Sequence, residues 1–188
     1  MINVVIRSRE YDDAPASERI GARVIIRKGD MYLFSYLGKR DQYLFPGGGM
    51  EDGESPMQGA ERECMEECGL IAEAEKPFLI IDEYYFEKHW RNYYMMAHIT
   101  GKTSPRHDLK EDELELQPVW VSNDEIGKLP AIQMNWNDIP HAPLSTIFAV
   151  RNSHFREYIA YRIANNMGLP EIPAQLSDSI ACIGIDTC

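Results

Sequence analysis

Residues 46 to 70 of this 188-residue chain read PGGGMEDGESPMQGAERECMEECGL, and they confine the backbone more tightly than any other stretch. Three glycines behind Pro46 follow the apolar run Tyr43-Leu44-Phe45, so a strand is expected to end there and the chain to turn tightly, where only glycine is comfortable. Ser55 is a good N-cap, Pro56 suits the first helical position, and Gln58 completes a capping box. Gly69 is a natural terminating glycine, so a helix is predicted from Pro56 up to it.

At about 100° per residue that helix has two faces of different chemistry. Met57, Ala60, Cys64 and Cys68 share one, which reads as core, while Glu63, Glu66 and Glu67 cluster on another. Like charges at i,i+3 and i,i+4 disfavour a helix, and Arg62 alone cannot neutralise three carboxylates. An isolated E-x-x-E-E is most simply a solvated face. Here the glycine loop beside it adds backbone carbonyls, and carboxylate, carbonyl and water form the hard oxygen set that Mg²⁺ or Mn²⁺ prefers.

The full spacing sharpens that expectation. Gly48 is followed after five residues by Glu54 and after seven more by Arg62-Glu63, with Glu66-Glu67 and Gly69-Leu70 completing the run. It resembles the Nudix box, G-x5-E-x7-R-E-U-x-E-E-x-G-U with U a bulky aliphatic residue; Cys64 stands at one aliphatic position and is a small apolar substitute. The resemblance implies a Nudix fold, an α/β/α sandwich around a mixed β-sheet. It also implies a metal-dependent pyrophosphohydrolase that cuts a nucleoside diphosphate linked to another moiety by water attack at phosphorus. By the same resemblance Glu66 and Glu67 are the principal metal carboxylates, Glu63 is a third ligand or a base, and the Gly48 region offers a carbonyl oxygen. Glu54 and Arg62 form a supporting ion pair, and a loop acid before the Trp120 strand often supplies the general base. Glu111, Asp112, Glu113 and Glu115 are available for that role, and Glu113 is favoured.

Composition bounds the rest. The hydrophobic fraction of 44% suffices for a sizeable core, and the length suits one domain with appendages. A formal charge of −11 argues against nonspecific nucleic-acid or acidic-membrane binding, because both need a basic surface. The N-terminus lacks a secretory signal pattern and no apolar run approaches a membrane span, so a cytoplasmic protein is expected. The four cysteines have no zinc-like spacing and read as reduced thiols.

Ile2 to Arg7 reads as a short edge strand and Glu10 to Ser17 as a loop. Residues 23–28 and 31–37 flank Gly29-Asp30 as a hairpin; Phe78 to Phe86 and Tyr93 to Thr100 form a second pair around Glu87 to Asn92. Residues 101 to 115 form a polar loop, Leu116 to Val121 a strand, and Ser122 begins a helix with an acidic first turn. Residues 130 to 143 read as irregular. A long helix follows Pro143, interrupted near Asn152-Ser153 and stopped at Asn165-Asn166. One domain over residues 1–168 is therefore expected, with a tail over 169–188 that packs on the domain or on a partner. The Ile2 strand and the apolar tail are elements through which a homodimer could form.

For phosphate contact Arg23, Lys39, Arg40 and Arg91 are the candidates, and Tyr43, Tyr84, Tyr85 and Trp90 are aromatics that could stack on a base. Tyr85 also lies where dinucleoside polyphosphate hydrolases of the resembled family tend to carry tyrosine. The expected substrate is a small nucleotide diphosphate compound: a nucleoside triphosphate or oxidised nucleotide, ADP-ribose, or a dinucleoside polyphosphate. The competing reading is a non-catalytic Nudix domain that binds a nucleotide ligand as a regulator. Such modules usually lose box glutamates, and here every one is present.

Overall fold

The computed structural model describes residues 1–11, 17–104, 116–132 and 144–186. In chain order the elements are β1 (Ile2–Ser8), β2 (Ser17–Lys28), β3 (Met31–Leu37), β4 (Gln42–Leu44), β5 (Gly47–Gly49), α1 (Pro56–Cys68), β6 (Leu70–Ala74), β7 (Leu79–Tyr85) and β8 (Lys88–Lys102). They continue with β9 (Leu116–Ser122), α2 (Asn123–Ile126), α3 (Leu144–Arg151), α4 (Ser153–Ala164) and β10 (Ile180–Asp186).

The two hairpins form as their turn chemistry requires, but one arm of each, β2 and β8, is longer than composition suggested. Gly29 takes a positive φ of 66° between β2 and β3, where a side chain would be strained. Strand β2 begins at Ser17 rather than Arg23, because nearly all of it runs parallel to β8, from Ser17 opposite Lys88 to Ile26 opposite Ala97. The predicted turn Glu87 to Asn92 shrinks to Phe86-Glu87, with Phe86 at a φ of 51°. Residues His89 to Asn92 look like loop residues by polarity, yet each pairs across to β7, with Arg91 opposite Asp82.

The main path of the sheet runs β10-β1-β7-β8-β2-β3-β4, with β5 on β2, β6 on β8 and β9 on β3. Parallel pairs (β1 with β7, β2 with β8) and antiparallel pairs occur together, so the sheet is mixed. Strand β1 is not an edge. Its free side is taken by β10, antiparallel from Asn3 opposite Asp186 to Ser8 opposite Ile180. The apolar patch of the tail thus packs on its own chain: Ile180 is buried in the core and Ile183 packs against it, the register shift opposite Arg7 and Ser8 letting residues three apart face the same side.

Helices cover both faces. Ala22, Val24 and Ile26 of β2 join Ala60, Cys64 and Cys68 of α1 in one core, with Met57 packed against it. Ile25, pointing the opposite way, joins Phe155, Ile159, Ala160 and Ile163 of α4 in the other. The result is the expected α/β/α sandwich. Helices α3 and α4 break at the fully buried Asn152, as the sequence indicated. Among the described residues no helix is long and apolar enough to cross a membrane.

Candidate active site

The N-terminus of α1 is built as its sequence dictates. Ser55 accepts from the Gln58 amide while the Gln58 side chain accepts from the Ser55 amide, and Gly69 closes the helix at a φ of 63°. These caps fix the rotation of the helix, and the Cys64 face packed on β2 turns the glutamate face toward β5. Gly48 lies so close to that face that a Cβ there would meet the Glu63 carboxylate at 2.6 Å.

Arg62 gathers the acids. Its Nε donates to Glu54 at 2.8 Å, one Nη donates to both Glu63 and Glu66 at 3.0 Å, and the other donates to the Gly49 carbonyl at 2.9 Å. The ion pair expected between Glu54 and Arg62 is present, and Arg62 also ties the helix to the glycine strand. The guanidinium beside Glu54 holds that carboxyl below its ordinary value. Glu67 faces differently: the Ser35 hydroxyl donates to its Oε2 at 2.6 Å and the Gly47 amide donates to the same oxygen at 3.1 Å. Burial nevertheless pushes the Glu67 carboxyl up to about 7, and burial also raises Glu63 against the pull of Arg62.

On the other side of β2 lies a small open cleft lined by Arg19, Gly21, Arg23, Gly48, Trp90, Asn92 and Arg156. Arg19, Gly21 and Arg23 alternate along one face of β2, and Trp90 and Asn92 alternate beside them on β8. The Arg19 guanidinium sits over the Trp90 ring, 5.3 Å from its centroid. Gly48 touches both this cleft and Glu63, so the carboxylates and the arginine-rich cleft share one strand.

The structure brings Glu54, Arg62, Glu63, Glu66, Glu67, Gly48 and Arg23 into one neighbourhood. Lys39 and Arg40 sit in the turn Gly38–Arg40 and do not line the cleft. Arg91 is committed to Asp82 through Nε at 2.8 Å and Nη2 at 3.0 Å. Tyr85 corrects an expectation: it is fully buried with its hydroxyl donated to Glu83 at 2.7 Å, so its ring offers no face to a bound base. Strand alternation sends it inward with Leu79 and Ile81. Glu111, Asp112, Glu113 and Glu115 lie outside the described residues.

Sequence reasoning did not single out Arg19, Asn92, Arg156 or Ser35. The Arg-x-Gly-x-Arg alternation of residues 19–23 was the available signal, since period two places both arginines and a bare glycine on one strand face. Nothing local marked Arg156, which looks like an exposed helix charge. Among the described residues no three His, Cys, Asp or Glu side chains already converge as a metal cage. The donor chemistry still fits a hard divalent ion. Three carboxylates lie on one helix face beside a glycine strand, and burial drives two of them toward protonation.

A NUDIX domain model matches residues 18–142 of the chain. This chain belongs to the Nudix family. It is an enzyme of the Nudix hydrolase class, and its mixed sheet with flanking helices is the Nudix fold. Similar solved structures include a NUDIX hydrolase from Nitrosomonas europaea, at 21% identity and a TM-score of 0.51, over 77% of this chain and 90% of that one. The MutT protein of Methanosarcina mazei Go1 shares 16% identity at a TM-score of 0.52, over 84% of this chain and 99% of its own. A UDP-X diphosphatase shares 15% identity at a TM-score of 0.52, over 84% and 68% respectively. No curated protein sequence matches this Nudix chain.

Proposed function

We propose that this Nudix hydrolase is a pyrophosphohydrolase dependent on Mg²⁺ or Mn²⁺. Its substrate would be a nucleoside diphosphate linked to another moiety, cleaved by water attack at phosphorus. The observation that carries the reading is the sharing of strand β5 by Glu63 on one side and the arginine-lined cleft on the other. Glu63, Glu66, Glu67 and the Gly48 carbonyl are the groups that would hold the ion. When bound, a divalent ion neutralises phosphate charge and makes a bound water acidic enough to attack at neutral pH.

The chain's own groups have separable tasks. Arg62 keeps Glu63 and Glu66 side by side despite their repulsion, and fixes both to the backbone of Gly49. Ser35 and Gly47 orient Glu67. Arg19 and Arg23 supply positive charge for phosphate oxygens where the overall charge of −11 would repel them, and Trp90 offers a ring for stacking. Glu113 remains the favoured general base.

The test is incubation of purified protein with Mg²⁺ or Mn²⁺ and a panel of nucleoside triphosphates, oxidised nucleotides, ADP-ribose, nucleotide sugars and dinucleoside polyphosphates. Release of monophosphate or pyrophosphate from at least one compound, abolished in Glu67→Gln, is the expected result. A panel without turnover, or full activity in that variant, would sink it.

A further inference from the structure

We infer that Glu157 of helix α4 is a positioning residue for the active-site strand β5: it sets the backbone of residues 45 to 47 and, through it, the orientation of Glu67. This rests on the hydrolase reading above. The reason for its presence lies in the chain path. Strand β4 pairs with β3, whereas β5 pairs with β2, so the two residues between them, Phe45 and Pro46, cross from one pairing to another. The Pro46 carbonyl finds the Val24 amide at 2.9 Å, but Phe45 has a buried N–H and a buried C=O to satisfy. Side chains take over. Glu157 Oε2 accepts from the Phe45 amide at 3.3 Å, and Arg23 Nη1 donates to the Phe45 carbonyl at 2.9 Å and to the Gly47 carbonyl at 3.0 Å.

Glu157 holds Arg23 as well. Its Oε1 lies 3.7 Å from Arg23 Nε, which has no hydrogen-bond partner, and it accepts from Arg156 Nη2 at 2.7 Å and from the Tyr94 hydroxyl at 3.2 Å. The path from α4 to the carboxylate face is therefore continuous. Glu157 accepts from the Phe45 amide and lies beside Arg23, Arg23 holds the Phe45 and Gly47 carbonyls on either side of Pro46, and the Gly47 amide donates to Glu67 at 3.1 Å. Two neighbouring contacts pull the same way, with the Tyr43 amide donating to His154 at 2.9 Å and Gln42 to Ser153 at 2.9 Å.

Fold stability alone does not account for the charges. Buried ion pairs of this kind are often matched or exceeded in stability by apolar packing, so a carboxylate kept at 0% exposure in α4 points to the geometry it imposes. Glu83 supplies an internal control. It is equally buried and also bound to Arg156, through Nη1 at 3.0 Å, but its remaining bonds go to Asn92 and Tyr85 and none to the β4–β5 crossing.

The experiment compares wild type, Glu157→Gln, Glu157→Asp and Glu83→Gln by steady-state kinetics and by ¹⁵N amide spectra in the absence of substrate. Glu157→Gln retains the fold, moves the Gly47 and Gly48 amide resonances, and lowers kcat about tenfold or more, since misplacement of a catalytic group by a fraction of an ångström has effects of that size. KM changes less than kcat. Glu157→Asp, which keeps the charge but withdraws it, gives an intermediate result and serves if the Gln variant does not fold. Glu83→Gln leaves the Gly47 and Gly48 amides in place and, through the cleft residues Asn92 and Arg156 that it holds, acts on KM more than on kcat. Equal effects of the Glu157 and Glu83 variants on kcat and on the glycine amides overturn the inference. If wild type turns over nothing, the hydrolase reading falls, and the Gly47 resonance alone still decides whether Glu157 sets the strand.

Discussion

Ser35 and Glu67 meet at 2.6 Å, a hydrogen bond from strand β3 to helix α1 that orients a carboxylate whose burial disfavours its charge. The folded carboxyl is raised from 4.5 to about 7, so between those values the folded state binds more protons than the unfolded. Its contribution to stability is fully present below the unfolded value, declines as pH rises toward 7, and is flat above. Glu67→Gln is accordingly expected to melt higher than wild type at pH 8 without metal, by at most about 3 kcal/mol, and equally at pH 4. The same variant loses at least about a hundredfold in turnover. Thermal melts in a chelator at the two pH values check the sign; a gain independent of pH would contradict it.

Arg62 makes five hydrogen bonds to Glu54, Glu63, Glu66 and the Gly49 carbonyl. Arg62→Met leaves three half-buried carboxylates facing one another and should cost about 3 kcal/mol in urea unfolding. Arg62→Lys should recover little, because one ammonium cannot span the fork. Millimolar Mg²⁺ should shrink the deficit of the Met variant by supplying the missing positive charge, and an unchanged deficit would argue against a cation site on that face.

Neighbouring glycines separate folding from catalysis. Gly47 has a φ of 148°, and a Cβ there would press into the Ala22 carbonyl and reach within 2.6 Å of Arg23 Cα. Gly47→Ala should therefore lose more than about 3 kcal/mol, since backbone must part from backbone. The obstacle at Gly48 is the mobile end of Glu63. Gly48→Ala should fold with a loss of about 1 kcal/mol and fail in turnover, because the displaced group is the carboxylate itself. Comparable melting temperatures for the two variants would refute this distinction.

Deleting the tail after Ser177 removes β10 and bares the outer side of β1 together with the pocket that Ile180 fills. The truncated protein should melt several degrees lower and associate at concentrations where the full chain does not, because an unpaired strand edge is a template for another chain. Light scattering alongside calorimetry reads both effects.

The local chemistry of helix α1 was legible almost to the residue, since Ser55, Gln58 and Gly69 act on their own neighbours and need no tertiary partner. Arg23 and Tyr85 mark where that legibility stops. Each sits on a strand whose alternation is clear, but which face is wet depends on what packs above it, and α4 begins only at Ser153, far downstream of both. Glu157 illustrates the same limit: its task is set by a strand crossing that exists only in the assembled sheet. The polar stretch His89 to Asn92 reads as a loop until β7 and β2 lie on either side of it.

The pairing of Asn3 with Asp186 has a consequence in time. A growing chain can close the β2–β3 hairpin and cap α1 early, because those contacts are local. Strand β1, made before β10, stays bare on one side until β10 emerges, and closing so long a loop is among the slower steps available to a sheet. Until β10 arrives the β1 edge of this Nudix chain is therefore unprotected, and residues remote from the chemistry decide when that exposure ends.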